Sequence, residues 1–134
     1  MSQGFTQNGP VYIVDNDAWN AWTPGFTGFS ADPSTANYFY KLVGKICFVS
    51  IPGGSGTSNT TAFTITGLPA TSGSVAQWVS IAFPQDNSSN IDKNCMGQIG
   101  ASSTTLTLYL AGSDTGWTAS NNKAVGATFF YETA

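Results

Sequence analysis

Apolar and polar positions alternate along most of this chain with a period of two, the signature of half-buried strands. In Thr104-Thr105-Leu106-Thr107-Leu108-Tyr109-Leu110, the leucines fall on one face and Thr105, Thr107 and Tyr109 on the other. Ala62-Phe63-Thr64-Ile65-Thr66 alternates in the same way. Val75, Val79, Ile81 and Phe83 share a face that Gln77 interrupts, with Trp78 and Ser80 opposite. Clusters of turn formers separate these runs: Pro52-Gly53-Gly54-Ser55-Gly56, Gly67-Leu68-Pro69, Asp86-Asn87-Ser88-Ser89-Asn90 and Gly112-Ser113-Asp114. No stretch shows clean helical periodicity. The pattern predicts strands over 11–14, 22–29, 37–43, 45–51, 60–66, 75–83, 93–99, 104–110 and 124–132. Short strands at near-regular spacing read as an all-β sandwich or barrel. The clearest hairpin turns at Val43-Gly44-Lys45, where Gly44 supplies the positive φ of a tight turn.

Two strands are apolar on both faces, Ile46-Cys47-Phe48-Val49 and Ala127-Thr128-Phe129-Phe130-Tyr131. A two-layer antiparallel sandwich buries only one face of each sheet. The other face therefore needs a cover. Another copy of the chain would serve, since most soluble oligomers are symmetric homo-oligomers. A loop or the segment 1–20 is the alternative.

Composition narrows the function. The 134 residues fit one domain, and 41% hydrophobic residues suffice for a core. Only 8% are charged, with four lysines, no arginine, no histidine and a net charge of −3. The surface is then mostly Ser, Thr, Asn, Gln and Gly. Such a surface excludes nucleic acid as a partner, because phosphate binding and guanine readout rely on clustered Lys and Arg. An anionic membrane surface is disfavoured for the same reason. No apolar run is long enough to span a bilayer, so no membrane insertion is expected. The first ten residues lack the basic and apolar regions of a signal peptide. Cys47 and Cys95 sit in apolar, strand-like settings. Buried free thiols and a disulfide both remain open.

The residues offer little chemistry. Without histidine there is no imidazole for acid–base catalysis or metal binding, and neither cysteine has the partner of a papain-like nucleophile. The seven acids are Asp15, Asp17, Asp32, Asp86, Asp92, Asp114 and Glu132, and the aspartates fall in predicted turns where they cap backbone N–H groups. Asp86, Ser88, Asn90 and Asp92 echo the start of a calcium loop, but Ile91 stands where such a loop needs glycine. The chain is accordingly read as a non-enzyme with no metal and no cofactor. Trp22 and Trp78 are expected in the core or an interface, whereas Trp117 lies in a turn-rich stretch and offers a stacking face. Recognition is expected on the loops 53–59, 86–92 and 113–122, because loops on a rigid scaffold carry most binding sites. Asn87, Asn90, Trp117 and Asn121 are the candidate ligand-binding residues.

The segment Trp22-Thr23-Pro24-Gly25-Phe26-Thr27-Gly28-Phe29, the hairpin Tyr38-Phe39-Tyr40-Lys41-Leu42-Val43-Gly44-Lys45-Ile46-Cys47-Phe48-Val49 and the closing run Gly126-Ala127-Thr128-Phe129-Phe130-Tyr131-Glu132-Thr133 together resemble bacteriophage virion domains. These occur in tail-fibre tips, receptor-binding heads and head-attached fibres. The resemblance covers residues 19–133. It implies a trimeric β-sandwich of jelly-roll or TNF-like type, displayed on the virion, that binds a host receptor or decorates the capsid or tail. The implied partners are copies of the chain, other virion proteins, and a glycan or protein of the host surface. Residues 19–134 would form the single domain and 1–18 an arm or attachment segment. Tail-fibre heads normally follow a shaft, so the short leading segment favours a free-standing decoration, spike or adaptor protein. The alternative is a non-catalytic carbohydrate-binding module.

Overall fold

The computed structural model describes residues 18–92, 94–110 and 116–134, and the chain is all-β there. Twelve strands follow one another: β1 (Asn20–Ala21), β2 (Gly25–Thr27), β3 (Phe29–Ala31), β4 (Phe39–Val43), β5 (Ile46–Ser58), β6 (Thr64–Thr66), β7 (Gln77–Ile81), β8 (Phe83–Asp86), β9 (Ser89–Asn90), β10 (Cys95–Ile99), β11 (Leu106–Leu110) and β12 (Asn122–Glu132). They build the expected antiparallel β-sandwich. The large sheet has seven strands in the order β1-β4-β5-β12-β8-β9, with β3 also on β5, and the small sheet has five in the order β2-β6-β11-β10-β7. The expected strand 11–14 lies outside the described residues.

Alternation sorts the side chains between the layers. Cys95, Gly97 and Ile99 on β10, Leu106 and Leu108 on β11, and Val79 and Ile81 on β7 point inwards. They meet Cys47, Val49 and Ile51 of β5 and Val125, Ala127, Phe129 and Tyr131 of β12. Through one end of this core runs a chain of six rings. Trp22 meets Tyr38 at 5.5 Å, Tyr38 meets Phe26 at 6.0 Å, Phe26 meets Phe29 at 5.8 Å, and Phe63 meets both Phe29 and Trp117 at 5.0 Å. All five contacts are edge-to-face, the arrangement that the ring quadrupole favours. Both cysteines are free, buried thiols.

The hairpin read from the sequence is present: Val43 pairs with Ile46 across Gly44-Lys45, and Gly44 has φ 57°. Three expectations need correction. The run 22–29 divides at Gly28 into β2, on the small sheet, and β3, on the large one. Val75 and Phe83 are exposed and do not share the buried face of Val79 and Ile81, because β7 starts only at Gln77 and the chain bends at Ala82 to leave one sheet for the other. Pro52-Gly53-Gly54-Ser55-Gly56 is no turn between strands but the middle of β5. Its glycines make a bulge: Pro52 pairs with Gly126 and Ser55 with Ala124, so two residues of β5 face Val125 alone, and Gly53 takes φ 78°. A bulge of this kind shifts the alternation by one. Before it Cys47, Val49 and Ile51 are buried; after it Gly56 and Ser58 are.

At the bend the Ala82 N–H donates to the Gly126 carbonyl at 3.2 Å. One strand-length away, the Gln77 side chain imitates a paired peptide group, donating to the Glu132 carbonyl at 2.8 Å and accepting from its N–H at 2.7 Å. Between these two ties β7 and β12 diverge around an open groove of about 370 Å³ lined by Trp78, Ser80, Thr128 and Phe130, with Val79 and Phe129 also contributing.

Candidate functional site

One pole of the sandwich gathers the predicted asparagines. β8 and β9 join through Asn87-Ser88, with φ 53° and 62°, the double positive φ of a type I′ hairpin turn. Asn121, also left-handed at φ 59°, donates its amide to Asn87 Oδ1 at 2.6 Å. The Ser88 N–H donates to the Asn122 carbonyl at 2.8 Å, and Ser88 Oγ accepts from the Asn122 N–H at 3.1 Å. Asn90 lies on β9 and accepts from Gln85 at 3.4 Å. The structure thus brings Asn87 and Asn121 together, with Asn90 beyond the same turn.

Trp117 does not join them. It is 1% exposed, its indole N–H donates to the Leu108 carbonyl at 2.9 Å, and its ring packs on Phe63. The expected stacking face is therefore a core residue. Turn-rich sequence around a tryptophan does not reveal whether the chain folds back over it. Of the other expected loops, 53–58 is strand, and 111–115 falls outside the described residues.

Beneath the pole is a buried polar cluster. Asp86 accepts from the Thr118 N–H at 2.9 Å and from its hydroxyl at 2.7 Å, so both carboxylate oxygens are engaged. Both fix the turn. Lys123 is fully buried; its ammonium donates to the carbonyls of Thr60 and Ala62 and lies 4.9 Å from the Phe29 ring centre. Loss of hydration lowers its pKa to about 8, against the opposing pull of the Asp86 carboxylate. These groups have the geometry of a structural tie. Nothing in it is aimed at solvent.

The two outer faces of the sandwich differ in chemistry. On the large sheet Phe48 and Phe130 face each other across β5 and β12 with ring centres 5.8 Å apart, and Phe130 is 62% exposed. Val43 and Phe83 are exposed on the same sheet, and Phe39 and Ile46 are half-buried. On the small sheet the outward residues are Trp78 and Ser80, Met96 and Gln98, Thr107 and Tyr109, Thr64 and Thr66, Gly25 and Thr27, none of them charged. Strand register aligns Trp78, Gln98, Thr107, Thr64 and Thr27 in a single row across all five strands. Trp78, expected in the core or an interface, is 57% exposed, and Tyr109 lies beside it at 5.7 Å with the rings tilted by 43°. Period-two alternation carried a signal for these residues: it assigns Trp78 and Tyr109 to the faces opposite Val79 and Leu108.

No protein family matches the chain, and no curated protein or solved structure does either.

Proposed function

We propose that this chain is a bacteriophage virion surface protein, a non-enzymatic β-sandwich of jelly-roll or TNF-like type that assembles as a homotrimer and serves adhesion, as a host-receptor-binding tip or as a decoration of capsid or tail. The observation that carries this reading is the cluster of exposed rings on the outer face of the large sheet, where Phe48 and Phe130 meet on its two longest strands beside Lys41. Contiguous exposed apolar surface marks an interaction site. The same strands give the chain its resemblance to virion domains. A surface poor in charge and a chain without histidine support a binding role over catalysis. A carbohydrate-binding module shares these traits but has no need of an apolar sheet face.

Two measurements test the proposal. Antibody labelling of purified phage particles should find the chain on their surface, and native mass spectrometry of the free chain should find trimers. A chain absent from particles overturns the virion role, and a monomer at about micromolar concentration overturns assembly through this face.

A further inference from the structure

We propose that the outer face of the small sheet binds a neutral glycan, with a pyranose ring stacked on Trp78 and Tyr109 and its hydroxyls met by Gln98, Ser80 and Thr107. This gives the adhesive reading above its ligand class, and its purpose rests on that reading. The chemistry, however, lies within one chain.

The first observation is the position of the aromatics. Trp78 leaves more than half of its surface in water, although burying such a ring is among the most favourable contributions a side chain can make. Its register partner is Gln98, and Tyr109 stands one strand beyond, opposite Met96. The two rings lie 5.7 Å apart on this outer face, tilted by 43° to each other. A pyranose has an apolar C–H face and an equatorial fringe of hydroxyls. The exposed ring pair offers its surface to the first, and the amide and hydroxyls beside it suit the second.

The second observation is charge. No outward residue of this sheet is ionic. An exposed sheet face usually carries charges, which keep it soluble and discourage unwanted pairing. A face without them offers no counter-charge to an anionic or cationic ligand. It also spares a neutral ligand the cost of leaving a charge desolvated. Sialylated and uronic sugars are thereby disfavoured. A second copy of the chain is better matched by the phenylalanine face of the other sheet.

The third observation is availability. The side chains of Gln98, Ser80 and Thr107 make no hydrogen bond to another described residue, whereas the asparagines at the pole already bond to one another or to their neighbours. Along the row, Thr64 and Thr27 continue the hydroxyl track beyond Thr107. An oligosaccharide lying across the strands would meet the indole first, then the amide, then three hydroxyls.

The test is an array of neutral hexose and N-acetylhexosamine oligosaccharides, with sialylated glycans as charged controls, probed with the full chain. Hits are then titrated by calorimetry and tryptophan fluorescence. At least one neutral oligosaccharide should bind and perturb the fluorescence, with affinity unchanged between low and about half-molar salt. Trp78→Ala and Tyr109→Ala should each weaken binding by about tenfold while melting like the parent, and Trp78→Phe by less. Asn87→Ala at the pole and Trp19→Ala, at the exposed tryptophan that precedes β1, should bind as the parent does. The proposal is overturned if no neutral oligosaccharide binds, if only charged ones do, or if the folded Trp78→Ala and Tyr109→Ala variants retain parental affinity. Loss of sugar binding with trimers intact removes the shelf and leaves the virion reading standing. Sugar binding by a chain absent from particles does the reverse.

Discussion

Lys123 shows how far a single side chain departs from its sequence-level description. Among four scattered lysines it reads as a solvated charge, yet it is buried on β12, tying that strand to the carbonyls of Thr60 and Ala62. Its partners lie some sixty residues earlier in the chain, so no local pattern could announce them. The burial has a consequence for stability against pH. The folded amine releases its proton near 8, the unfolded one near 10.5. Between these values the unfolded state binds one proton more, so stability rises with pH, by at most about 1.4 kcal/mol per unit. Burial acts oppositely on the acids. It pushes the thiol of Cys95 from 9.0 and the phenol of Tyr38 from 10.0 up to about 12, and raises Cys47 and Tyr131 as well. Their unfolded forms ionise first, and stability falls above pH 9 to 10. Chemical denaturation should therefore show a gain from pH 7.5 to about 9 and a steep loss beyond 10. In Lys123→Met the gain should vanish while the loss remains. A parent that weakens steadily from pH 7.5 upward contradicts this account of Lys123. Trp117 makes a simpler case: Trp117→Ala should cost about 3 to 5 kcal/mol in the same assay, the range for emptying a buried aromatic site. A loss below about 1 kcal/mol would return the residue to the surface.

At the level of elements, the period-two pattern located most strands to within a few residues, because one buried face per sheet imposes alternation directly on the sequence. Where it failed, a backbone device had replaced the pattern. The run Pro52-Gly53-Gly54-Ser55-Gly56 has the composition of a loop, but β12 pairs along it and its glycines accommodate a bulge and close packing. Two neighbouring glycines separate these roles. A Cβ on Gly56 would come within 2.6 Å of the Ala31 carbonyl oxygen and 2.7 Å of the Phe29 ring, whereas one on Gly54 meets nothing within 4 Å. Gly54→Ala should accordingly leave stability unchanged or raise it by up to about 1 kcal/mol, since alanine suits a strand better. Gly56→Ala should cost at least about 2 kcal/mol, the scale of overpacking in a rigid core. Thermal melts of the two variants check the contrast, and equal tolerance would return the run to the turn that its composition suggests. The candidate site follows the same logic. The asparagine pole was legible because turn residues announce turns. The Trp78–Tyr109 shelf depends on β7 and β11 flanking β10, a matter of sheet order that alternation cannot supply.

For the whole molecule, the decisive feature is that the sandwich has two outer faces with different appetites. The phenylalanines of the large sheet sit where a polar residue would be expected on a solvated face, and Phe130 is still 62% exposed although Lys41 stands opposite Phe48 in the strand register. Contact with a second copy would withdraw them from water, contributing about 25 cal/mol per Å² of apolar surface removed. The small sheet, with its uncharged hydroxyls and paired rings, gains less from such a contact. If the faces act separately, they can be silenced separately. The double variant Phe48→Ser, Phe130→Ser should fold, because Phe130 is 62% and Phe48 37% exposed in the single chain. Its self-association should weaken by about a hundredfold or more, the effect of removing central aromatic anchors from an interface. Analytical ultracentrifugation across a concentration series should then show monomers where the parent shows trimers. Trp78→Ala should leave the parental distribution in place. If the double variant assembles like the parent, the large sheet is not the contact. If Trp78→Ala dissociates the assembly instead, copies meet through the small sheet, and the phenylalanine face is left for a different partner.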